Sequence, residues 1–206
     1  MTKRLSIFGD SITWGKADTE YGGWVNRLRN YFETASEYDV EVYNVGVSGD
    51  TTEDLVKRFT PDCEARNRKP QIILFAIGIN DSSLINTPDN PKVSVEQFQS
   101  NLRRLFSEAK TFSNTIAFIG LTTVDESKMP RKEVKYWSND SIRKYNKVLQ
   151  HFCHETDIPF LDMLSVLDIK DLFDGLHPDA NGHEKMFQKI KEFLILNKVV
   201  EKSTPE

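Results

Sequence analysis

Leu5-Ser6-Ile7-Phe8-Gly9-Asp10-Ser11 joins a short apolar run to a glycine and then to a serine. An apolar run of this length predicts a buried β-strand, and the glycine predicts a tight turn directly after it. Ser11 would then lie where the first strand ends, at the edge of a sheet. Taken alone, the same residues also fit an ordinary strand-to-helix turn in which Ser11 caps the next helix.

Four more short apolar runs follow, and longer stretches with helical spacing separate them. The five expected strands cover residues 4–8, 40–45, 71–77, 115–121 and 159–161. Strands that alternate with helices favour a parallel sheet, because right-handed crossovers carry the chain from one strand to the next. We therefore predict an α/β fold, a single-domain three-layer αβα sandwich around a five-stranded parallel sheet.

The segment Asp174-Gly175-Leu176-His177-Pro178 offers an imidazole and a carboxylate near the other end of the chain. A serine hydroxyl is a weak nucleophile, so it needs an imidazole to take its proton and an acceptor to hold that imidazole. Proline disfavours a helical residue before it, which puts His177 in a loop. We predict that Ser11 is the nucleophile, His177 the base and Asp174 the residue that orients the base, although Asp-Gly is also a common turn dipeptide.

Polar segments also follow the second and third expected strands, at residues 44–50 and 78–81. Because ligands bind beyond the carboxyl ends of parallel strands, these segments are expected to converge on Ser11. The backbone N–H groups of Ser11 and Gly49 and the side-chain amide of Asn80 would then form an oxyanion hole. Two simpler interpretations stay open: Gly49 as a turn glycine before a helix, and Asn80 as a residue whose side chain closes a turn.

Ser48 is a second candidate nucleophile, since residues 46–49 begin like a G-x-S-x-G nucleophile elbow. The fifth position of that pattern is Asp50 instead of glycine, so the pattern fails. We therefore retain Ser11 as the nucleophile.

The four segments, in this order, resemble the SGNH or GDSL hydrolase family, whose sequence blocks are a G-D-S nucleophile, an oxyanion glycine, a G-x-N-D and a D-x-x-H near the C-terminus. All four blocks match, over residues 9–178. Ile12 stands where leucine is common after the serine, a change that leaves the catalytic atoms in place. The resemblance implies a flavodoxin-like (SGNH hydrolase) fold, a serine acyl-enzyme mechanism and no metal or organic cofactor.

The motifs together predict a carboxylic ester hydrolase that acts on a small or short-acyl ester through an acyl-enzyme. Two other activities would use the same site: a lysophospholipase or thioesterase, and an acyltransferase that passes the acyl group to an alcohol instead of water. A protein of a different class, a flavodoxin-like anion-binding module, would use the same sheet without needing His177 or Asp174.

Apolar side chains in the expected loops are candidates for an acyl pocket, although loop aromatics more often pack locally than bind substrate. The segment 122–137 is the expected cover of that pocket. The candidate pocket residues are Trp14, Leu84, Ile85, Met129, Tyr136 and Trp137.

Composition fits one soluble enzyme domain over residues 1–206, with a frayed tail from about residue 200. The chain has 28% charged residues, a net charge of −4 and no run of like charges, which argues against a nucleic-acid partner. The longest apolar stretch, 72–79, is far shorter than the roughly 20 residues that span a bilayer, so we expect no stable membrane association. A cleavable signal peptide would include Ser11, which predicts a cytoplasmic location. The sequence leaves the oligomeric state open.

No residue pattern indicates a metal site. Cys63 and Cys153 lack the spacing of metal ligands and are predicted to be reduced structural thiols. His151 and His154 form an H-x-x-H pattern without a nearby carboxylate pattern, which favours a solvated helix face over a metal site.

Overall fold

The strands of the central sheet alternate with helices along the chain. The computed structural model describes residues 2–67, 70–87, 90–129 and 135–203. Five strands form one parallel sheet in the order β2-β1-β3-β5-β7, whereas β4 and β6 pair as a separate antiparallel ribbon. The strands of the described ranges are β1 (Lys3–Gly9), β2 (Val40–Gly46), β3 (Gln71–Ala76), β4 (Leu84–Ile85), β5 (Thr115–Ile119), β6 (Lys135–Tyr136) and β7 (Phe160–Leu161).

Two rows of helices accompany the sheet. Helix α2 contacts α6, and α4 contacts both α3 and α5. The prediction of an α/β fold with a five-stranded parallel sheet is confirmed. The helices are α1 (Ser11–Trp14), α2 (Trp24–Thr34), α3 (Thr52–Ala65), α4 (Val95–Phe112), α5 (Asn139–Glu155) and α6 (Ala180–Leu196), with short 3-10 turns at Glu126–Lys128 and Ile169–Asp171.

One face of the sheet is built from phenylalanines in register. Phe8, Phe75 and Phe118 lie side by side on β1, β3 and β5, and all three are fully buried. The rings of Phe75 and Phe118 stack with their centroids 4.7 Å apart. Phe59 of α3 packs on Phe8 and Phe75, and Phe152 of α5 packs on Phe118, so the row α3–α5 covers this face.

Two strands end earlier than their apolar runs suggested. β3 ends at Ala76, one residue before the expected end, and β5 ends at Ile119, two residues before it. The N–H of Leu121 donates to the side-chain oxygen of Asn146 (2.8 Å) instead of to a neighbouring strand. Just after β5, a hydrogen bond to the Asn146 side chain therefore takes the place of a backbone hydrogen bond between strands.

The chain end lies against the first connection of the fold. The N–H of Ser203 donates to the carbonyl oxygen of Glu37 (2.9 Å), and Lys3 pairs with Glu201 (3.0 Å). Residues 204–206 of the expected tail lie outside the described residues. A single domain over 1–206 with a frayed end stays a prediction.

The cysteines and the H-x-x-H pair occupy different surroundings. Cys63 and Cys153 are buried free thiols, and burial raises the pKa of each to about 12. His151 and His154 are exposed on α5, where His151 lies 3.3 Å from Glu155. Within the described ranges, no three His, Cys, Asp or Glu side chains form a group that could hold a metal, and no helix is long and apolar enough to cross a bilayer.

We expect Phe75→Ala to destabilise the fold by about 3–5 kcal/mol, because it leaves a cavity between stacked aromatic rings. Phe173→Ala is the matched control, since that side chain is 70% exposed, and it should change stability by less than about 0.5 kcal/mol. Urea unfolding followed by circular dichroism measures both values. Equal effects of the two substitutions would contradict this description of the core.

Candidate active site

Ser11 is held by the turn that links β1 to α1. It is the first residue of α1, and the Asp10 carboxylate caps that helix by accepting the N–H of Ile12 at 2.9 Å. A Cβ on Gly9 would lie 2.1 Å from the hydroxyl oxygen of Thr13 and 2.4 Å from the carbonyl oxygen of Ala76. Only glycine fits at that position, so the turn brings Ser11 close to the end of β3.

Ser11, His177 and Asp174 form one chain of hydrogen bonds. Ser11 Oγ lies 2.9 Å from His177 Nε2, and His177 Nδ1 lies 2.8 Å from Asp174 Oδ2. The other carboxylate oxygen of Asp174 accepts the backbone N–H groups of His177 (2.9 Å) and Leu176 (3.1 Å). The carboxylate therefore fixes both the ring and the backbone of His177. The structure brings together all three residues that the sequence proposes as a triad.

The same contacts keep Asp174 ionised. Burial by itself would raise the pKa of this carboxyl, but the hydrogen bonds from the backbone and ring of His177 hold the pKa well below its usual range. A carboxylate that stays charged next to His177 Nδ1 favours the tautomer in which Nδ1 carries the proton. In that tautomer Nε2 carries a lone pair that faces Ser11 Oγ.

Two backbone N–H groups near Ser11 are available to a ligand. The N–H groups of Ser11 and Gly49 donate to no acceptor within the described parts of the chain. Gly49 has φ +91°, a conformation that favours glycine, and a Cβ placed there would meet nothing within 4 Å. The space on the Cβ side of Gly49 is therefore open, and its positive φ is the feature that favours glycine.

Asn80 lies beside the turn that contains Gly49. Its side chain is buried, and Nδ2 donates to the carbonyl oxygen of Asp50 at 3.0 Å. Its Oδ1 lies 3.4 Å from Lys135 Nζ. Both the nitrogen and the oxygen of the amide thus have a partner. Among the described residues, the second N–H of Nδ2 has no acceptor and could donate to a ligand.

The candidate pocket residues differ in exposure. Trp14, on the helix that begins with Ser11, is 57% exposed. Leu84 and Trp137 are buried, and Leu84 pairs with Tyr136 in the β4–β6 ribbon. The Trp137 indole N–H donates to the carbonyl oxygen of Ile79 at 2.8 Å. Ile85 and Met129 are half-buried, and residues 130–134 of the expected cover lie outside the described residues.

Comparison with known proteins places the chain in a family. The model of the GDSL-like lipase/acylhydrolase family matches residues 7–185. The chain belongs to this family.

Individual relatives differ in how much of their length the chain covers. An acetylxylan esterase of Geobacillus stearothermophilus is 26% identical over 207 residues, which cover 88% of this chain and 89% of that protein. The uncharacterized lipoprotein YqeF of Bacillus subtilis is 33% identical over 109 residues, 50% of this chain but only 42% of the lipoprotein. The crystal structure of a lipase/acylhydrolase from Enterococcus faecalis superimposes with a TM-score of 0.79 at 24% identity over 100% of both chains. Because one relative is named a lipoprotein, the cytoplasmic location stays a prediction.

Arg58 of α3 ties the strand ends of this GDSL protein together, and sequence reasoning missed it. Its Nε donates to the Asp50 carboxylate at 2.6 Å, and its Nη2 donates to the carbonyl oxygens of Gly9 (3.2 Å) and Val45 (3.1 Å). One guanidinium therefore joins β1, β2 and the residue after Gly49. In the sequence, Arg58 is one charged residue among several in a helical stretch, and no local signal marks its inward direction.

Two buried acids, Asp10 and Asp81, lie near Ser11. Asp81 accepts the N–H of Thr52 at 3.0 and 3.1 Å, and the Thr52 hydroxyl also donates to it. Burial raises the pKa of Asp81 to about 6. Burial also raises the pKa of Asp10 to about 7, and the charges of Asp81 and Asp50 add to that shift. Asp10, the acid of the G-D-S motif, therefore caps α1 from a buried position that disfavours its ionised form.

We expect Asp10→Asn to stabilise the fold more at neutral pH than at acidic pH. Between about pH 4 and 7 the folded protein holds a proton on Asp10 that the unfolded chain has lost, so the contribution of Asp10 to stability falls as the pH rises. Asparagine keeps the cap without ionising. Each pKa unit corresponds to about 1.4 kcal/mol, so the advantage of the variant should grow by roughly 2–3 kcal/mol from pH 5 to pH 7.

Urea unfolding at several pH values measures this advantage. Asp157→Asn is the matched control, since Asp157 is exposed and adopts a positive φ of 54°, which asparagine tolerates. The control removes the same charge from an exposed side chain, and the effect of Asp10→Asn is measured relative to it. A difference between the two variants that does not change with pH would refute the assignment.

Proposed function

We propose that this chain is a carboxylic ester hydrolase that forms an acyl-enzyme on Ser11. The observation that carries the proposal is the hydrogen-bond chain Ser11–His177–Asp174, with lengths of 2.9 and 2.8 Å. Available N–H donors beside that chain and membership of the GDSL family support the same activity. Anion binding alone would not require the Asp174 carboxylate to hold the His177 ring against Ser11.

The first half-reaction transfers the acyl group to Ser11. His177 Nε2 takes the Ser11 proton while Oγ attacks the ester carbonyl carbon, and the carbonyl oxygen becomes an oxyanion. Asp174 stabilises the imidazolium through Nδ1–H. His177 then gives its proton to the leaving alkoxide, which departs as an alcohol and leaves the acyl group on Oγ.

The second half-reaction returns the enzyme to its starting state. Water occupies the place of the alcohol, His177 takes one of its protons, and the hydroxide oxygen attacks the acyl carbon. The tetrahedral intermediate collapses when Ser11 Oγ leaves and accepts the proton from His177. The acid product dissociates, and the balance is one ester and one water for one alcohol and one acid.

The oxyanion would be held by the N–H groups of Ser11 and Gly49 and by the second N–H of Asn80. Such donors stabilise charge that appears only in the transition state, and removal of one typically costs about 10²–10³ in kcat. The start of a helix adds a favourable dipole at the N–H of Ser11, although α1 has only four residues.

The proposed substrate is a small, soluble ester with a short acyl group. The relative that the chain covers most evenly is named an acetylxylan esterase, which supports an acetyl ester. Two exposed apolar side chains close in sequence to triad residues favour the alternative of a longer acyl chain: Trp14, three residues after Ser11, is 57% exposed, and Phe173, next to Asp174, is 70% exposed. Transfer of the acyl group to an alcohol would use the same atoms as hydrolysis.

A fluorophosphonate should label Ser11 and not Ser48, because only Ser11 has His177 within hydrogen-bond distance. Peptide mass spectrometry of the labelled protein locates the adduct. Ser11→Ala should lower kcat by a factor on the order of 10⁴ or more, as loss of a triad nucleophile does. Ser48→Ala is the matched control and should retain both folding and turnover. An adduct on Ser48, or near-native activity of Ser11→Ala, overturns the proposed mechanism.

A series of p-nitrophenyl esters from acetate to palmitate tests the substrate class. We expect the highest kcat/KM at the acetate or butyrate ester. Product analysis with an added alcohol separates hydrolysis from acyl transfer in the same experiment. A maximum at ten carbons or more would reject the short-acyl proposal and favour a lysophospholipase or thioesterase, while leaving the role of Ser11 intact.

A further inference from the structure

The short strand β6 and the residue after it are fixed against the segment that carries Asn80. Tyr136 pairs with Leu84, four residues beyond Asn80, in the antiparallel ribbon. Trp137 is only 4% exposed, and its indole N–H donates to the carbonyl oxygen of Ile79 at 2.8 Å. The backbone of this ribbon therefore lies directly beside the proposed oxyanion amide.

The ribbon brings an ammonium group to that amide. Lys135 Nζ lies 3.4 Å from Asn80 Oδ1 and 4.6 Å from the centroid of the Trp137 ring. A cation over an indole face is attracted by the ring electrons, which favours this position of a flexible side chain. Trp137 thus fixes the ribbon through its N–H and holds the lysine through its ring.

Contacts at both ends determine the orientation of the Asn80 amide. Its Nδ2 donates to the carbonyl oxygen of Asp50, and its Oδ1 faces Lys135. Rotating the amide by half a turn would place its NH₂ against the ammonium and its oxygen against a carbonyl oxygen, so both contacts would become repulsive. A cation at Oδ1 also draws electron density from the nitrogen, which makes the remaining N–H a stronger donor.

We infer that Lys135 is a positioning residue for catalysis, which orients and polarises the Asn80 carboxamide so that its second N–H stabilises the oxyanion. The inference rests on the proposed function. Lys135 acts through Asn80 and contacts neither the substrate nor Ser11. Lys135 should therefore affect kcat through the transition state, and this effect should not depend on the charge of the substrate.

A second lysine, Lys92, points to an alternative role for Lys135, which is attraction of a negatively charged substrate. The experiment has to distinguish that role from the positioning of Asn80. Lys92 Nζ lies 3.3 Å from the carbonyl oxygen of Gly49, so two ammonium groups contact two of the three segments of the proposed oxyanion hole. Two cations at this place would also attract a substrate with a negative charge. That role would change KM, and it would do so most for an anionic ester.

A double-mutant cycle between Lys135 and Asn80 tests the inference, with p-nitrophenyl acetate as the neutral substrate. Asn80→Ala should lower kcat by about 10²–10³ with little change in KM. Lys135→Met should lower kcat about tenfold with KM unchanged, because the lost hydrogen bond involves a charged group but is long. In the Asn80→Ala background, Lys135→Met should have almost no further effect, because its target is gone.

Three controls complete the cycle. Lys135→Arg keeps the charge and should retain more activity than Lys135→Met. Lys189→Met removes an exposed lysine of α6 that pairs with Glu192, and it should leave kcat and KM unchanged. Melting temperatures of all variants show that the ribbon still folds, and kcat is compared only among variants that match the parent protein.

Equal losses of kcat from Lys135→Met in both backgrounds would overturn the inference, and so would no loss in either. A change confined to KM that is larger for an acidic ester, such as a succinate monoester, would assign Lys135 to substrate recognition instead. If Asn80→Ala leaves kcat unchanged while Ser11 is still labelled, the positioning role fails and ester hydrolysis on Ser11 stands. Near-native activity of Ser11→Ala refutes the hydrolase mechanism itself and is measured separately.

Discussion

The guanidinium of Arg58 holds the active-site edge of the sheet in one piece. It binds the carbonyl oxygens at the ends of β1 and β2 and the carboxylate of Asp50, which follows Gly49. The Gly9 oxygen also accepts the N–H of Val47 at 3.0 Å, so Arg58 adds a second donor where the parallel strands stop pairing. A planar cation with several fixed donors suits this place better than a lysine would. The positions of Ser11 and Gly49 relative to each other depend on this contact.

The sheet order explains why distant segments meet. β1 lies between β2 and β3, and all three run parallel in register, so Gly9 stands between Gly46 and Ala76. The segments that follow these three strands carry Ser11, Gly49 and Asn80. His177 comes from a loop far along the chain, and Asp174 fixes it in the orientation that reaches Ser11. The proposed catalytic groups thus rest on strand ends, on one arginine and on one local carboxylate.

Much of this arrangement was predictable from the sequence, because buried parallel strands are short apolar runs and the motifs follow them directly. The five strands, the α/β class and the family were expected, and the structure brings Ser11, Asp174 and His177 together as expected. The role of Arg58 was not predictable, since only tertiary packing turns its side chain toward the strand ends. Leu84 and Trp137 were expected in a substrate pocket, and that role stays a prediction. Both side chains are buried, which no local signal marked, because the β4–β6 pairing joins residues that are distant in the sequence.

The central claim is that the ends of three strands form one oxyanion hole beside a serine that is activated by His177. A crystal structure of the protein after reaction with a phosphonate ester tests it most directly, since the tetrahedral phosphorus adduct mimics the intermediate of ester hydrolysis. The account predicts a covalent bond from Ser11 Oγ to phosphorus and one phosphoryl oxygen at about 2.7–3.1 Å from the nitrogens of Ser11, Gly49 and Asn80. A phosphoryl oxygen that points to solvent, or an adduct on another residue, would contradict the account.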